Sequence, residues 1–328
     1  MPGLVHRGVS YDDPAMLGVA LVPVLARASL ARESIIVALD AQVTAVVREG
    51  LAAEQLADVV FLDHTRPARS DAFQLAARIA TAVAGAARVG LHSCVVTQQQ
   101  PGLGLADAYW LRIEAALDEA LRRLPVTLLC AYRLAGLPLP AAPVDGVVPP
   151  AFLAAHPELA RIADLDHPVA NALHRDPVDV VRGLPGAVVP PPPPGARRWA
   201  FDADTLGSLR RDLTTAVAAS GLAAEAGEDL VYAASEVATN AVEHGGGTGV
   251  LWTWVAHGEA VCLVAGPGRL DEPFPGVVPP SVDQDRGRGL WLARALCDEV
   301  DVAVDDDGTR VRLARRLVRS EPITRQIR

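Results

Sequence analysis

Five successive prolines, Pro190 to Pro194, follow Gly183-Leu-Pro-Gly-Ala-Val-Val and end at Gly195. Pyrrolidine rings fix φ and remove amide donors, so such a run cannot continue a helix or sit in a central strand, and it favours polyproline II geometry. The run splits the chain into two pieces, with residues 183–196 expected to form a semi-rigid Pro-rich linker. The 328 residues, half of them apolar, supply enough material for two ordinary cores.

Ahead of the linker, Ser34-Ile-Ile-Val-Ala-Leu39, Val59-Val-Phe-Leu62, Leu91 to Val96 and Val126-Thr-Leu-Leu-Cys-Ala131 are short, nearly continuous apolar runs. Helical patterns such as Ala106 to Leu124 lie between some of them. Strands buried on both faces and alternating with helices predict a mostly parallel α/β sheet. No Gly-x-Gly-x-x-Gly follows any of these strands, which speaks against a dinucleotide site. A softer break falls at Leu137-Pro-Leu-Pro-Ala-Ala-Pro143, and residues 151–182 are expected as a helical extension of this first domain, 1–182. His6, Tyr11 and His92, the last beside Cys94, could touch a ligand or a metal, but the histidines stand alone without ligand spacing and are expected to be structural.

After the linker, Arg198-Trp-Ala-Phe201 is expected as a strand, and Asp204 as the N-cap of a helix running to about Ala219. A second helix, Ala224 to His244, should stop at Gly245-Gly-Gly247, where glycine can adopt the left-handed C-cap conformation. Gly249 to Ala256 and Ala260 to Ala265, joined by His257-Gly258, pattern as a β-hairpin. A helix from Leu290 to about Glu299 should precede a second hairpin, Val300 to Val304 and Thr309 to Leu313, turning at Asp307-Gly308. Two hairpins and three helices predict an α/β sandwich over residues 197–318, followed by a polar tail, 319–328.

All 30 basic residues are arginine, so a Walker A lysine, a pyridoxal Schiff base and the strand lysine of eukaryotic protein kinases are excluded. With 39 acidic residues the formal charge is −9, which offers no basic footprint for direct nucleic-acid or anionic-membrane binding. Cys94, Cys130, Cys262 and Cys297 lie far apart in apolar runs and are expected to be reduced and buried, outside any metal cluster. No apolar stretch approaches the roughly 20 residues of a membrane span, and Met1-Pro-Gly-Leu-Val-His-Arg lacks signal-peptide architecture. A soluble, cytoplasmic protein is the expectation.

Glu236, Asn240 and His244 recur at intervals of four within the second helix of this domain. At about 100° per residue, steps of four drift by only roughly 40°, so the three polar groups share one stripe. Asn is a weak helix former that competes for backbone hydrogen bonds, so its place here calls for a reason. A carboxylate and an amide side by side can hold a hydrated cation, and a solvated polar face is the plainer alternative. Gly287-Arg-Gly289-Leu290 follows, leading into the next helix.

With these motifs, residues 197–318 resemble the GHKL ATPase fold, in its RsbW-like anti-sigma-factor kinase branch. The Glu-x-x-x-Asn helix motif with a following His is matched at Glu236, Asn240 and His244; the second glycine box at Gly287, Gly289 and Leu290; and the opening of the last strand at Gly308-Thr309. Residues 6–182 resemble the MEDS sensory domain, a likeness strengthened by His156-Pro-Glu-Leu with Asn171 and Pro177. Together they have the layout of RsbA-family anti-sigma regulators.

The resemblance implies an ATP-dependent protein serine/threonine kinase of the partner-switching type, whose partners are a sigma factor or an anti-sigma-factor antagonist. Related kinase domains often form homodimers. In this reading Asn240 offers an amide oxygen to Mg²⁺, and Glu236, one turn earlier, accepts a proton from the attacking hydroxyl or orients it. Gly287 and Gly289 let backbone N–H groups approach phosphate at a helix N-terminus. Arg286 or Arg288 adds a charged clamp, and His244 sits at a helix C-terminus, where positive charge is favourable. Gly266, Gly268 and Thr309 complete the ATP-binding set.

One part of the pattern is missing. The Asp-x-Gly-x-Gly box that reads adenine in this fold falls on Val261-Cys-Leu-Val-Ala-Gly-Pro-Gly268, and either register puts Val264 or Gly266 where the Asp belongs. Loss of a hydrogen bond to a charged group, about 1.5 to 3 kcal/mol, weakens adenine binding roughly 10- to 100-fold. Asp271 is a nearby carboxylate that could substitute. The alternative function is therefore a binding module without phosphoryl transfer. A third, a sensor histidine kinase, would need His174 on a dimerising helix.

Overall fold

The computed structural model describes residues 3–62, 72–99, 107–134, 150–280 and 287–317. The expected break at 137–143, the tail 319–328 and Arg286 lie outside them. Contacts group the chain into two compact units, one built mainly from residues before Pro185 and one mainly from Pro185 onward.

In chain order the first elements are β1 (Val5–Tyr11), α1 (Pro14–Leu30), β2 (Ser34–Ala38), α2 (Ala41–Gly50), α3 (Ala53–Ala57), β3 (Val59–Phe61) and α4 (Phe73–Arg88). They are followed by β4 (Ser93–Gln98), α5 (Asp107–Leu121), β5 (Val126–Arg133), α6 (Pro150–Ala154), β6 (Glu158–Arg161), β7 (Asp164–Ala170) and α7 (Pro177–Arg182). The seven strands form one sheet in the order β3-β2-β4-β5-β1-β6-β7, parallel except for the antiparallel β6–β7 pair. Three of the four apolar runs become inner strands, β2, β4 and β5, because both faces are covered, and the fourth, β3, lies at the edge: Ile35, Ile36 and Val37 are almost fully buried, as are Leu128 to Ala131.

One strand carries no continuous apolar signal, and one expectation fails in this unit. β1, between β5 and β6, does not stand out as a strand because His6, Arg7, Gly8 and Ser10 interrupt its apolar character; its polar residues are accommodated by specific partners. Residues 151–182 are not a helical extension: the short helices α6 and α7 flank the β6–β7 hairpin. That hairpin is stabilised by pairing of β6 with β1, about 150 residues away, a partner that local propensity does not register.

The second unit holds β8 (Arg197–Asp202), α8 (Leu206–Ala218), α9 (Ala224–His244), β9 (Thr248–Ala256), β10 (Glu259–Gly266), α10 (Gly289–Leu296), β11 (Glu299–Asp305) and β12 (Gly308–Arg316). Its strands form an antiparallel sheet, β11-β12-β10-β9-β8. Helices α8, α9 and α10 pack on one face, where Leu213, Leu230, Ala234, Leu251, Cys262 and Ala293 are buried in one core. The β9–β10 turn takes positive φ at both His257 and Gly258, a hairpin-compatible geometry. Asp204 does not cap α8. The Asp202 carboxylate instead accepts from the Asp204 and Thr205 amides and the Thr205 hydroxyl, closing the turn one step earlier. The linker is anchored as well: Val189 is buried against Leu263 and Ala303, beside Trp252 and Trp254, on the sheet face away from the helices.

Candidate functional site

α9 is long and regular because its apolar residues Leu230, Val231, Ala234, Val237 and Ala238 follow helical spacing and bury against the sheet. That packing leaves Glu236 and Asn240 half-buried on a flank of the helix. α10 begins beside them. Gly287 has φ +78°, a left-handed value that glycine adopts without steric cost; Arg288 caps the helix and Gly289 is its first residue.

Gly289 and Asn240 are in contact: a Cβ placed on Gly289 would lie 2.5 Å from Asn240 Nδ2. Only glycine allows the start of α10 to come this close to the amide. The helix motif and the second glycine box, 49 positions apart, are thus brought together, with Leu290 packed on the adjoining core. The segment after β10 covers this helix start. Gly276, φ +71°, abuts the Leu290 backbone, and the buried Arg294 donates from Nε to the Pro275 carbonyl at 2.8 Å.

The first glycine box meets α9 at the neighbouring position and at its C-terminal end. Gly266, which ends β10, is opposite Thr309 in the β10–β12 register, and its absent side chain would meet Ala241 of α9. A Cβ on Gly268 would fall 2.2 Å from the Gly245 Cα, so the two backbones touch. Thr309 ties the turn down: its hydroxyl donates to the Gly268 carbonyl at 2.7 Å and accepts from the Leu270 amide at 3.0 Å. Gly308, φ +121°, leaves room for the Gly266 carbonyl and Pro267. Glycines and Thr309 therefore keep two loops close to α9 where side chains would fill the space.

Two sequence-predicted residues fall elsewhere. His244 is exposed at the end of α9, 3.8 Å from the Glu243 carboxylate, with which it shares solvent. His174 lies in a turn before α7 and beside Asp118, not on a dimerising helix, which removes the structural basis for the sensor-histidine-kinase reading. Gly245 was expected only as a helix terminator, yet it is the packing partner of Gly268; Gly246 and Gly247, rather than Gly245, take positive φ. A glycine triplet ending a helix together with Gly-x-Gly ending a strand was the available signal for that contact.

A helix-backed antiparallel sheet with two glycine loops drawn against one helix, one of them on its asparagine, defines a GHKL-like α/β sandwich. Residues 200–315 match the model of the histidine kinase-like ATPase domain, and residues 5–141 match that of MEDS, the methanogen/methylotroph DcmR sensory domain. The chain joins a MEDS domain to a histidine kinase-like ATPase domain. The crystal structure of the RsbU and RsbW domains of Rv1364c from Mycobacterium tuberculosis is similar at 25% identity over 38% of this chain, with a TM-score of 0.30. The present chain covers 32% of that one. No curated protein matches it significantly. The ATPase-type domain implies ATP binding. Among the described residues, no helix is long and apolar enough to cross a membrane.

Proposed function

We propose that the C-terminal domain binds Mg-ATP and acts as a protein serine/threonine kinase of the partner-switching type, under control of the N-terminal domain. The observation that supports this reading is the seat of Gly289 on the Asn240 amide, which brings the helix motif and the second glycine box together and leaves a cradle that a Cβ would fill. Bound Mg-ATP would supply the phosphoryl group and the cation. Asn240 would present its amide oxygen to the metal, and the glycine loops their N–H groups to phosphate. Arg288, at the N-cap of α10, adds positive charge beside that loop. Glu236, a turn before Asn240, would orient the acceptor hydroxyl and take its proton. The expected protein partners are an antagonist bearing the acceptor Ser or Thr and a sigma factor.

A second reading, a docking module without phosphoryl transfer, is favoured by the first glycine box. Val264 is 2% exposed within the core and Gly266 has no side chain, so neither supplies the adenine-reading carboxylate. A Cβ at Gly266 would stand 3.2 Å from the Ala241 Cβ, so the first side-chain atom is admitted after a shift of a few tenths of an ångström.

Transfer of labelled phosphate from ATP to purified candidate antagonist proteins separates the two. The kinase reading expects transfer by the intact protein and a loss of roughly 100-fold or more in Glu236→Gln, the scale of a general base. Transfer and nucleotide binding that appear only in Gly266→Asp would favour the docking module.

A further inference from the structure

The N-terminal unit contains a second constellation, on elements far apart in sequence. His6 on β1, Glu114 on α5, Cys130 on β5 and His156 just after α6 are all buried, and one ligating atom from each lies within 4.8 Å of all the others. The parallel β1–β5 register pairs Gly8 with Cys130, which brings His6 and Cys130 to the same part of the sheet. Gly8 also makes room for His156: a Cβ there would be 3.0 Å from the imidazole. Asn171 fixes the loop that carries His156 by donating to the Leu153 carbonyl at 2.6 Å and to the His156 carbonyl at 2.7 Å.

Hydrogen bonding decides which atoms face the centre. His156 Nδ1 lies 2.9 Å from the Phe152 carbonyl, which can only accept, so Nδ1 carries the hydrogen and Nε2 presents a lone pair. His6 Nδ1 faces the Asp118 carboxylate at 3.4 Å, with the same consequence for its Nε2. Glu114 Oε1 accepts from the Tyr132 hydroxyl at 2.8 Å, leaving Oε2 for the centre. Buried Glu114 Oε2 and His156 Nε2 have no hydrogen-bond partner. Lone pairs thus converge from two imidazoles and a carboxylate, together with a thiol, and either a proton or a metal cation must lie among them.

Three of the ligand pairs have a spacing compatible with a tetrahedral metal ion. His6 Nε2 and His156 Nε2 lie 3.6 and 3.5 Å from Glu114 Oε2, and Cys130 Sγ lies 3.5 Å from His6 Nε2. An N–H···O bond would be about 2.7–3.2 Å. Zinc bonds of about 2.0–2.1 Å to N or O and about 2.3 Å to S place tetrahedral ligands roughly 3.3–3.6 Å apart. We propose that His6, Glu114, Cys130 and His156 form a tetrahedral site for a late first-row divalent transition metal, preferentially zinc(II). On binding, the Cys130 thiol releases its proton to solvent, and thiolate and carboxylate balance the dication in a buried, neutral centre. The Asp118–His6 and Phe152–His156 contacts are the outer supports that orient such ligands. A cavity of about 310 Å³ is lined by His6, the only one of the four ligands to reach it, with Asp118, Arg122 and His174.

The competing occupant is a proton on His6. Burial opposes that charge, but Asp118 and Glu114 outweigh it and raise the imidazole to about 9. The full untagged chain, stripped of metal with a chelator and titrated with cobalt(II) and then zinc(II), distinguishes the two. The metal site gives one equivalent of cobalt with tetrahedral ligand-field bands and a thiolate-to-cobalt charge-transfer band, displaced by one equivalent of zinc. Cys130→Ser removes the charge-transfer band, and His156→Gln weakens zinc binding at least about 100-fold. Asp118→Asn weakens it about 10- to 100-fold, as outer-shell partners do. His92→Gln, near Glu33 and outside the cluster, leaves binding unchanged. Absence of the charge-transfer band in the wild type, or zinc affinity indifferent to both Cys130→Ser and His156→Gln, overturns the proposal. If circular dichroism shows His156→Gln unfolded, the wild-type and Cys130→Ser cobalt spectra decide.

Discussion

Gly289→Ala separates stability from ligand binding. The new methyl would fall 2.5 Å from Asn240 Nδ2, against ordinary contacts of 3.4–4 Å, so the amide must retreat by roughly 1 Å. Asn240 is a short side chain, and turning it costs about 0.5–1.5 kcal/mol. Alanine in place of glycine in a helix returns up to about 1 kcal/mol. The two terms nearly cancel, so unfolding free energy should change by less than about 1 kcal/mol. Nucleotide binding has no such offset, because displacement of the amide loses a contact to a charged group worth about 1.5–3 kcal/mol, or roughly 10- to 100-fold in Mg-ATP affinity. Urea unfolding can be followed by tryptophan fluorescence, since Trp199, Trp252, Trp254 and Trp291 report on the C-terminal unit and only Trp110 on the other. Calorimetric titration gives the affinity. In an Asn240→Ala background the obstacle is gone, and Gly289→Ala should become neutral or stabilising by up to about 1 kcal/mol. Equal effects in both backgrounds, with unchanged Mg-ATP affinity, would refute the contact and its role.

Gly268→Ala meets the Gly245 backbone at 2.2 Å, which no side-chain rotation relieves. Its cost in urea unfolding should reach or exceed the upper end of the roughly 1–3 kcal/mol of overpacking. Arg312, 8% exposed, donates to Glu259, Glu299 and Asp301 at 3.0–3.1 Å. Arg312→Met strands those carboxylates and should destabilise by about 3–5 kcal/mol, whereas a change under about 1 kcal/mol would mean the network is solvated. Burial pushes the Cys94 and Cys262 thiols up to about 12. The stability from their neutral form is complete below the unfolded value of about 8.5 and is lost as pH rises toward 12. At pH 8 a thiol reagent should therefore modify these cysteines only as fast as the protein opens, and rapid native labelling would contradict their burial.

The C-terminal domain was readable in sequence because its signals are local. α9 combines continuous helical periodicity with a glycine stop, and the β9–β10 turn is encoded by His257-Gly258. The seat of Gly289 on Asn240 was not readable, because spacing says nothing about where a second helix begins in space. In the N-terminal unit, β1 was hidden because its chemistry-bearing residues, His6 among them, break the apolar pattern expected of a buried strand. β7 is largely exposed, and its place depends on β6 pairing with β1. The same long-range pairing assembles His6, Cys130 and His156, which is why histidines and cysteines judged one at a time appeared structural.

If Asn240 and the glycine loops form a working nucleotide site despite the lost adenine carboxylate, Mg-ATP binding must depend on Asn240. Calorimetric titration of Mg-ATP into the intact protein, beside Asn240→Ala, tests it most directly. The account predicts saturable binding to the wild type and its loss in Asn240→Ala with the fold intact. Absence of saturable binding to the wild type, or equal binding by the two proteins, would contradict it.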